Sequence, residues 1–477
     1  MNVRREAAMN IKLLYEILSP QTVVIDSATL TGFAVDGIAP QAVIYPSDLS
    51  QAAEVMKLAN KEKWAVIPWG GGTKMALGNL PRRVDLVMST SRLDKIIDID
   101  VANLTVTAQA GVRLGDLQDL LGGTENRCFF PLESNLKVQA DYMCSNRDYK
   151  GAFLPLDPPF SDRSTLGGII ATNSTGPKRL RYGLPRDLVL GVRYVAPTGE
   201  VIGMGGKTVK NVSGYDVSKI MIGSLGTLGI LGDITCRLLP LPEQVGTVLT
   251  SFGSLPEAKA FADRVLSSKL LPTSLEILNG PGYELAQTTD LSVPLGSWCV
   301  AVGVEGFSEE VKREIADLRD MAHHESASGL AELDSDKTNA FWKNLSDCVS
   351  AAPSKTVVKF KGSFLISRYA EIMEQWTSAS AGMRCALAAS AGLGLAHAHI
   401  FGEPDMDLEK VAKMGAAFRA VTEQNGGSMV TECAPPGLKQ KLDPWGSPRG
   451  DFVLMTKIKN NVDPLGVLNP GRFVGGL

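Results

Sequence analysis

Two histidines on an alternating stretch stand out first. His397 and His399 sit in Leu395-Ala396-His397-Ala398-His399, where a strand would point both rings to one face. Glu403 follows four residues later. Imidazole titrates near neutrality, so such a pair can take or give a proton. It could also hold a metal, although H-x-H with no third histidine nearby is weak evidence for a metal site, or it could be a buried or rim pair with a structural role. His323 and His324 end a charged helical stretch and read as solvated. Arginine suits a carboxylate through its bidentate fork, and Arg181, Arg384 and Arg472 are the candidates. Lys210 and Tyr215 could either face a bound group or give local support.

A second set of residues could hold a long diphosphate-bearing cofactor. Between Ser164 and Pro242 lie three glycine-rich turns: Gly167-Gly168, Gly203 to Gly206, and Gly223-Ser-Leu-Gly226-Thr227-Leu-Gly229. Glycine lets backbone approach a ligand closely and accepts positive φ. Upstream, Trp69-Gly70-Gly71-Gly72-Thr73-Lys74 has neither the G-x-G-x-x-G spacing of a Rossmann loop nor the GK[ST] of a Walker loop. Contiguous glycines can form a nest of N–H groups around phosphate oxygens, or simply a flexible turn.

The elements that must position these residues follow an α+β pattern. Residues 1–37 form an N-terminal segment, with Ile11, Leu14, Tyr15 and Leu18 on one face of a surface helix. Ala42–Pro46 predicts a strand, Ser47 caps a helix from Leu49 to Ala59, and Ala65–Pro68 predicts the next strand. Further strands are expected at Val84–Met88 and Leu104–Gly111, with a short helix at Leu114–Leu121. An insertion occupies about 123–151, with Cys128 and Cys144. Beyond residue 243 strands and helices alternate through Val245–Phe252, Leu255–Leu270, Thr273–Leu278, Ser297–Glu305 and Ser308–His323, as in half of a ferredoxin-like unit. Strands are expected at Lys359–Ser363 and over Ala386–Phe401. A helix at Leu408–Asn425 leads into a strand starting at Ser428.

Length and composition bound the reading. A chain of 477 residues has room for two or three domains. A net charge of −3 gives no electrostatic case for nucleic acid. No apolar run approaches the roughly 20 residues of a membrane helix, and the N-terminus has no secretory pattern. The seven cysteines are odd in number and show no C-x-x-C pair, which argues against an iron–sulfur cluster or structural zinc in this chain and fits a reducing compartment.

The succession P-W-G-G-G-T, T-V-T-A-Q-A-G-V, L-P-L-D-P-P, T-L-G-G-I-I-A-T-N and G-S-L-G-T-L-G-I resembles the FAD-binding domain of the vanillyl-alcohol oxidase superfamily, PCMH type. The segments around Lys178–Val192 and Lys210–Lys219, and the terminal D-P-L-G-V-L-N-P-G-R-F, are similar to the glycolate oxidase FAD-binding subunit. The resemblance implies a PCMH-type FAD-binding domain of two α/β subdomains over 38–242, a ferredoxin-like α+β cap over 243–445, and a segment 446–477 returning to the FAD site. It implies FAD contacts from Pro68, Trp69, Gly70, Gly71, Gly72, Thr73, Pro155, Ser164, Thr165, Gly167, Gly168, Ala171, Thr172, Asn173, Gly223, Gly226, Thr227, Gly229, Ile230 and Asn469. His397, His399 and Arg472 are the expected catalytic residues, with no metal. With no histidine before His323 to anchor it, FAD is expected to be non-covalent. The chemistry implied is oxidation of a small 2-hydroxy acid such as glycolate or D-lactate, with electrons passing to an iron–sulfur or second flavoprotein subunit. A non-catalytic electron-relay or scaffold subunit is the alternative. The expected location is cytoplasmic, at the membrane only through a partner. Leu225 stands where flavoenzymes of 2-hydroxy acids often carry Glu in the third turn.

Overall fold

The computed structural model describes residues 9–124, 151–206, 218–286, 297–347, 356–402 and 406–477. Glu403, Lys210, Tyr215, Cys128 and Cys144, with nearly all of the 123–151 insertion, lie outside the described residues.

Among the described residues the first half builds two main sheets and a two-stranded pair of Ala152–Phe153 with Leu239–Pro240. A four-stranded sheet runs in the order Val23–Val24, Ala42–Ile44, Leu86–Ser89, Val66–Trp69; its last three strands are parallel. The chain therefore enters this sheet earlier than the pattern suggests, at Val23 rather than Ala42. The predicted N-terminal amphipathic helix is a 3-10 turn, Ile11–Glu16, in which Leu14 is buried and Tyr15 is exposed. Its three-residue period cannot align all four apolar positions on one face. Leu14 and Leu18 pack with Val55, Met56 and Val467 into one core cluster. The helix Leu49–Glu62 is capped by Asp48, whose carboxylate accepts from Gln51 N, and not by Ser47. A five-stranded antiparallel sheet follows, ordered Ile96–Asp100, Thr105–Gln109, Ile230–Arg237, Val189–Val195, Val201–Gly205. Gly203 and Gly205 thus belong to an edge strand and form no turn toward a ligand, which corrects the second of the three expected glycine turns.

The second half is one eight-stranded antiparallel sheet. Its first four strands in sequence, Gln244–Phe252, Ser274–Asn279, Trp298–Gly306 and Gly329–Leu333, stand in the spatial order fourth, first, third, second. With the helices Leu255–Leu266 and Ser308–His324 between them, they complete a ferredoxin-like βαββαβ unit. The strands Thr356–Ser363, Cys385–Ser390, Leu395–Gly402 and Ser428–Cys433, with the helices Tyr369–Ala379 and Leu408–Gln424, repeat that order. The cap is therefore two such units, joined edge to edge where Glu276, Ile277 and Leu278 pair with Ser390, Ala389 and Ala388. No sequence repeat announces this symmetry, because it lies in the order of elements and not in residue identities.

Alternation along the strands separates two faces. One face carries Val300, Val302, Val358, Phe360, Ala398 and Ile400 under the four helices, where Trp376 stacks on Phe418 at 4.7 Å. On the other face the two units differ. The first buries Leu249, Leu278 and Ala301 beneath Phe341 and Trp342 of the helix Ser335–Asp347. The second leaves its face polar, and the candidate site is built there.

Candidate functional site

Two cavities meet where the halves of the molecule join. The first, of about 810 Å³, is a groove between the small sheets. Its walls contain Pro68, Trp69, Gly70, Gly71, Gly72, Thr73, Ser164, Thr165, Gly167, Gly168, Ala171, Thr172, Gly226, Gly229, Ile230, Asn469 and Arg472. Segments far apart in sequence thus converge as the motifs implied. Gly70 and Gly71 are spaces the fold requires: a Cβ would stand 2.3 Å from Thr165 Oγ1 at the first and 2.0 Å from the Arg163 carbonyl oxygen at the second.

Both chain regions named in the motifs close this groove. Val66 and Leu468 form a parallel bridge, and Asn469 donates through Nδ2 to the carbonyl of Leu225. Lys459 donates to the carbonyls of Thr227 (2.8 Å) and Leu468 (3.0 Å) and pairs with Asp463 at 2.5 Å. The third glycine turn is therefore held from behind by the C-terminal helix Phe452–Val462. Leu225 keeps this turn tight at a φ of 52°, a left-handed conformation that is costly for a leucine.

Four of the implied cofactor contacts lie elsewhere. Pro155 is in the stretch docked on Gln118, which brackets Leu154 through both its amide groups. Gly223 and Thr227 shape the third turn instead of lining the groove: Gly223 N donates to Ile170 O, and Thr227 Oγ1 donates to Ser224 O. Asn173, left-handed at a φ of 49°, ends the helix Leu166–Thr172 and lines the second cavity.

That second cavity, of about 880 Å³, shares Lys74, Thr172 and Ser174 with the groove. His397 and His399 point into it with ring centroids 6.3 Å apart, so the one-face expectation holds. Strand register explains what surrounds them. Lys361 pairs with His397 and Lys359 with His399, and a register shift at Lys359 brings in the Ser428–Cys433 strand, on which Glu432 lies. Glu432 is approached by three ammonium groups: Lys359 at 3.1 Å, Lys361 at 3.5 Å and Lys74 at 3.8 Å.

The electrostatics follow from that crowding. Burial first, and then Lys359, holds His397 well below its ordinary range, and the same causes take His399 to about 3. Both imidazoles are therefore neutral at pH 7. Burial lowers Lys74 to about 8 against the opposing pull of Glu432. The lysines carry Glu432 well below the carboxylate range despite its burial. Across the cavity Glu276 accepts from Ser390 and is pushed up to about 8 by burial. The cavity thus holds an excess of positive charge beside two neutral proton acceptors.

The arginines fall away from this center. Arg472 is 3% exposed, but its NH2 donates to the carbonyls of Met75 (2.6 Å) and Leu77 (2.7 Å) and its NH1 to Asn469 Oδ1. It borders the groove and does not line the histidine cavity, and its Nε is buried with no hydrogen-bond partner in the protein. Arg384 pairs with Glu284 at the surface, and Arg181 donates to Leu271 O. Instead the cavity carries three lysines that the motif reading did not single out. Lys74 directly follows the glycine nest. Lys359 and Lys361 alternate on a strand that was expected, and two charged residues on one face of a core strand were the available signal. His323 and His324 are exposed, as expected. Among the described residues no group of three His, Cys, Asp or Glu could hold a metal.

The groove fits FAD. It supplies a glycine-rich floor, and at its junction with the second cavity Asn173 Oδ1 and Ser174 Oγ are buried with no hydrogen-bond partner in the protein. Comparison with known proteins agrees. The model of the FAD binding domain matches residues 40–132 and 147–217, and that of the FAD linked oxidases, C-terminal domain, matches 241–473. The glycolate oxidase subunit GlcD of Bacillus subtilis is 26% identical over 91% of this chain and 89% of its own length. A D-lactate dehydrogenase of Anaerostipes hadrus is 25% identical over 96% of each chain. The solved 4-ethylphenol oxidase of Gulosibacter chungangensis shares the fold with a TM-score of 0.72 at 15% identity, covering 98% of both chains. With its glycine-lined FAD groove closed by the C-terminal segment and its cap of paired ferredoxin-like units, the chain belongs to the FAD-linked oxidases that join an FAD binding domain to the FAD linked oxidase C-terminal domain, and it shares the fold of the solved 4-ethylphenol oxidase.

Proposed function

We propose that this protein oxidises a small 2-hydroxy acid, such as glycolate or D-lactate, and delivers the electrons to a separate iron–sulfur or second flavoprotein subunit. The observation that carries the reading is the cavity contiguous with the FAD groove, in which three lysines surround two neutral histidines. Lys359 and Lys361 would hold the substrate carboxylate, displacing part of their pairing with Glu432. A neutral His397 or His399 would take the hydroxyl proton. Carboxylate binding offsets the lysine charge that depresses both imidazoles, so the base strengthens when substrate arrives. Bound FAD supplies the two-electron acceptor. The odd cysteine count and the lack of C-x-x-C spacing support an iron–sulfur center on another chain. No described helix is long and apolar enough to cross a membrane. We read residues 38–242 as the FAD-binding unit, 243–445 as the cap and 446–477 as its return to the groove. Among the described residues of the N-terminal segment, Met9, Leu14, Leu18 and Val23 pack into the core of the first unit.

One observation favors a second reading, in which the chain is a non-catalytic FAD subunit that relays electrons. Arg472, the expected carboxylate fork, is committed to Met75 and Leu77. Anaerobic mixing decides between the two. Loss of the oxidised-flavin absorbance with glycolate or D-lactate supports catalysis by this chain. Reduction only after a partner flavoprotein is added supports the relay.

A further inference from the structure

We propose that Lys74 is the residue that sets the reduction potential of the bound flavin, acting as a fixed cation between the FAD groove and the substrate cavity. The inference rests on FAD binding and not on the identity of the substrate. Among the described residues Lys74 is the one cation bordering both cavities. Any substrate held in the second cavity must meet the redox end of the cofactor there, because hydride transfer requires close contact. Uptake of two electrons and one proton leaves the ring system with one additional negative charge. A cation fixed at the junction stabilises that charge in a site largely shielded from water.

The backbone around Lys74 is built to stay in place. Leu77 N donates to Lys74 O at 3.0 Å, closing a turn directly after the glycine nest. Arg472 holds the carbonyls of Met75 and Leu77, and its own carbonyl accepts from Asn79 N at 2.9 Å. Gly78, at a φ of 95°, fits against the same carbonyl, where a Cβ would stand 2.5 Å from the oxygen. The otherwise puzzling use of Arg472 is thereby explained: it is a positioning residue for the Lys74 turn. On the cap side the Lys74 ammonium lies 3.8 Å from Glu432, which Lys359 and Lys361 also share. The net field at the junction is thus a balance of Lys74 against Glu432, and removing either should move the potential in opposite directions. The depressed affinity of Lys74 for its proton fits a cation partly buried beside Lys359 and Lys361.

The test uses the purified holoprotein without any hydroxy acid. The flavin is titrated against a reference dye, and its affinity for sulfite, which leaves the same negative charge on the ring, is measured in parallel. Lys74→Met should shift the reduction equilibrium toward the oxidised form by tenfold or more, about 30 mV for a two-electron couple, and weaken sulfite binding comparably. Lys74→Arg should stay near wild type. Glu432→Gln should shift both readouts the other way, a reversal that general loosening of the site would not produce. A Lys74→Met protein with its flavin bound and both readouts unchanged would overturn the proposal. If Lys74→Met loses the flavin, the signs of the Glu432→Gln and Lys74→Gln shifts decide instead, and equal signs overturn it. A failed substrate screen leaves this result untouched, and a failed potential shift leaves the substrate reading untouched.

Discussion

The most demanding test of the architecture is Lys459→Met. Lys459 is 6% exposed, and its ammonium ties three things together: Asp463 one helical turn on, the carbonyl of Leu468 in the C-terminal segment, and the carbonyl of Thr227 in the third glycine turn. Methionine fills similar volume, so the change removes the charge with little loss of packing. Breaking a buried ion pair costs about 3–5 kcal/mol because the remaining charge is left uncompensated. Asp463 still accepts from Val467 N (3.0 Å) and Leu468 N (2.9 Å), which places the expected loss at the lower end. Two carbonyls also lose a charged donor, but such terms do not add independently. An overall loss of about 3 kcal/mol corresponds to roughly a hundredfold change in an equilibrium constant. Some of it should appear in FAD affinity, because Thr227 shapes the turn that borders the groove. The assay is urea unfolding of the apo- and holoprotein by circular dichroism, with FAD binding followed by flavin fluorescence. Lys459→Met combined with Asp463→Asn should recover part of the loss, since no unpaired charge remains. A single variant within about 0.5 kcal/mol of wild type, the range of ordinary surface substitutions, with unchanged FAD affinity, would refute the claim that this lysine closes the groove.

Four further predictions concern the groove and the cavity. Gly71→Ala should lose FAD and destabilise the protein, because its Cβ meets the Arg163 carbonyl at 2.0 Å; Gly168→Ala, where the nearest atom is Thr165 Oγ1 at 3.2 Å, should keep the apoprotein stable and lower flavin content alone. The depressed histidines make stability pH-dependent: the unfolded chain takes up protons near pH 6.5 and the native state does not, so stability should be greatest above 6.5 and fall as pH drops toward 3, with His399→Gln flattening the profile in denaturant midpoints. Glu276 has the opposite sign, contributing fully below its unfolded value near 4.5 and losing that contribution as pH rises through about 8, so Glu276→Gln should remove a decline between about 4.5 and 8. Acid precipitation should leave FAD in the supernatant, and flavin retained by the denatured chain would contradict non-covalent binding.

The two ends of the site were unequally legible. The groove could be read because its residues are constrained locally. Gly70, Gly71, Gly167 and Gly226 must be small whatever else the chain does, and Asn469 stands in a compact terminal motif. Thr227 and Gly223 hold a turn beside the groove, and shaping a turn and lining a ligand use the same residue types. The cavity was legible only in part. Alternation put His397 and His399 on one face, but their neighbors come from other strands, and pairing partners are not written in a strand's own residues.

By itself the sequence determined that this chain holds an FAD-type groove, that its early and terminal segments both contribute, and that two histidines share a face. The shared face follows from side-chain alternation along a strand and the room for a diphosphate-bearing ligand from glycine where a Cβ cannot fit, while FAD itself and the return of the terminal segment follow from the resemblance of the motifs to a known family. Only the tertiary structure decided the charge of the cavity. Register set Lys359 and Lys361 opposite the histidines, and the groove loop brought Lys74 to Glu432 across more than three hundred intervening residues. It also gave the Arg472 guanidinium the carbonyls of Met75 and Leu77 as partners. Whether an arginine grips a carboxylate or backbone carbonyls depends on which acceptors the fold places within about 3 Å of it, and only long-range packing decides that.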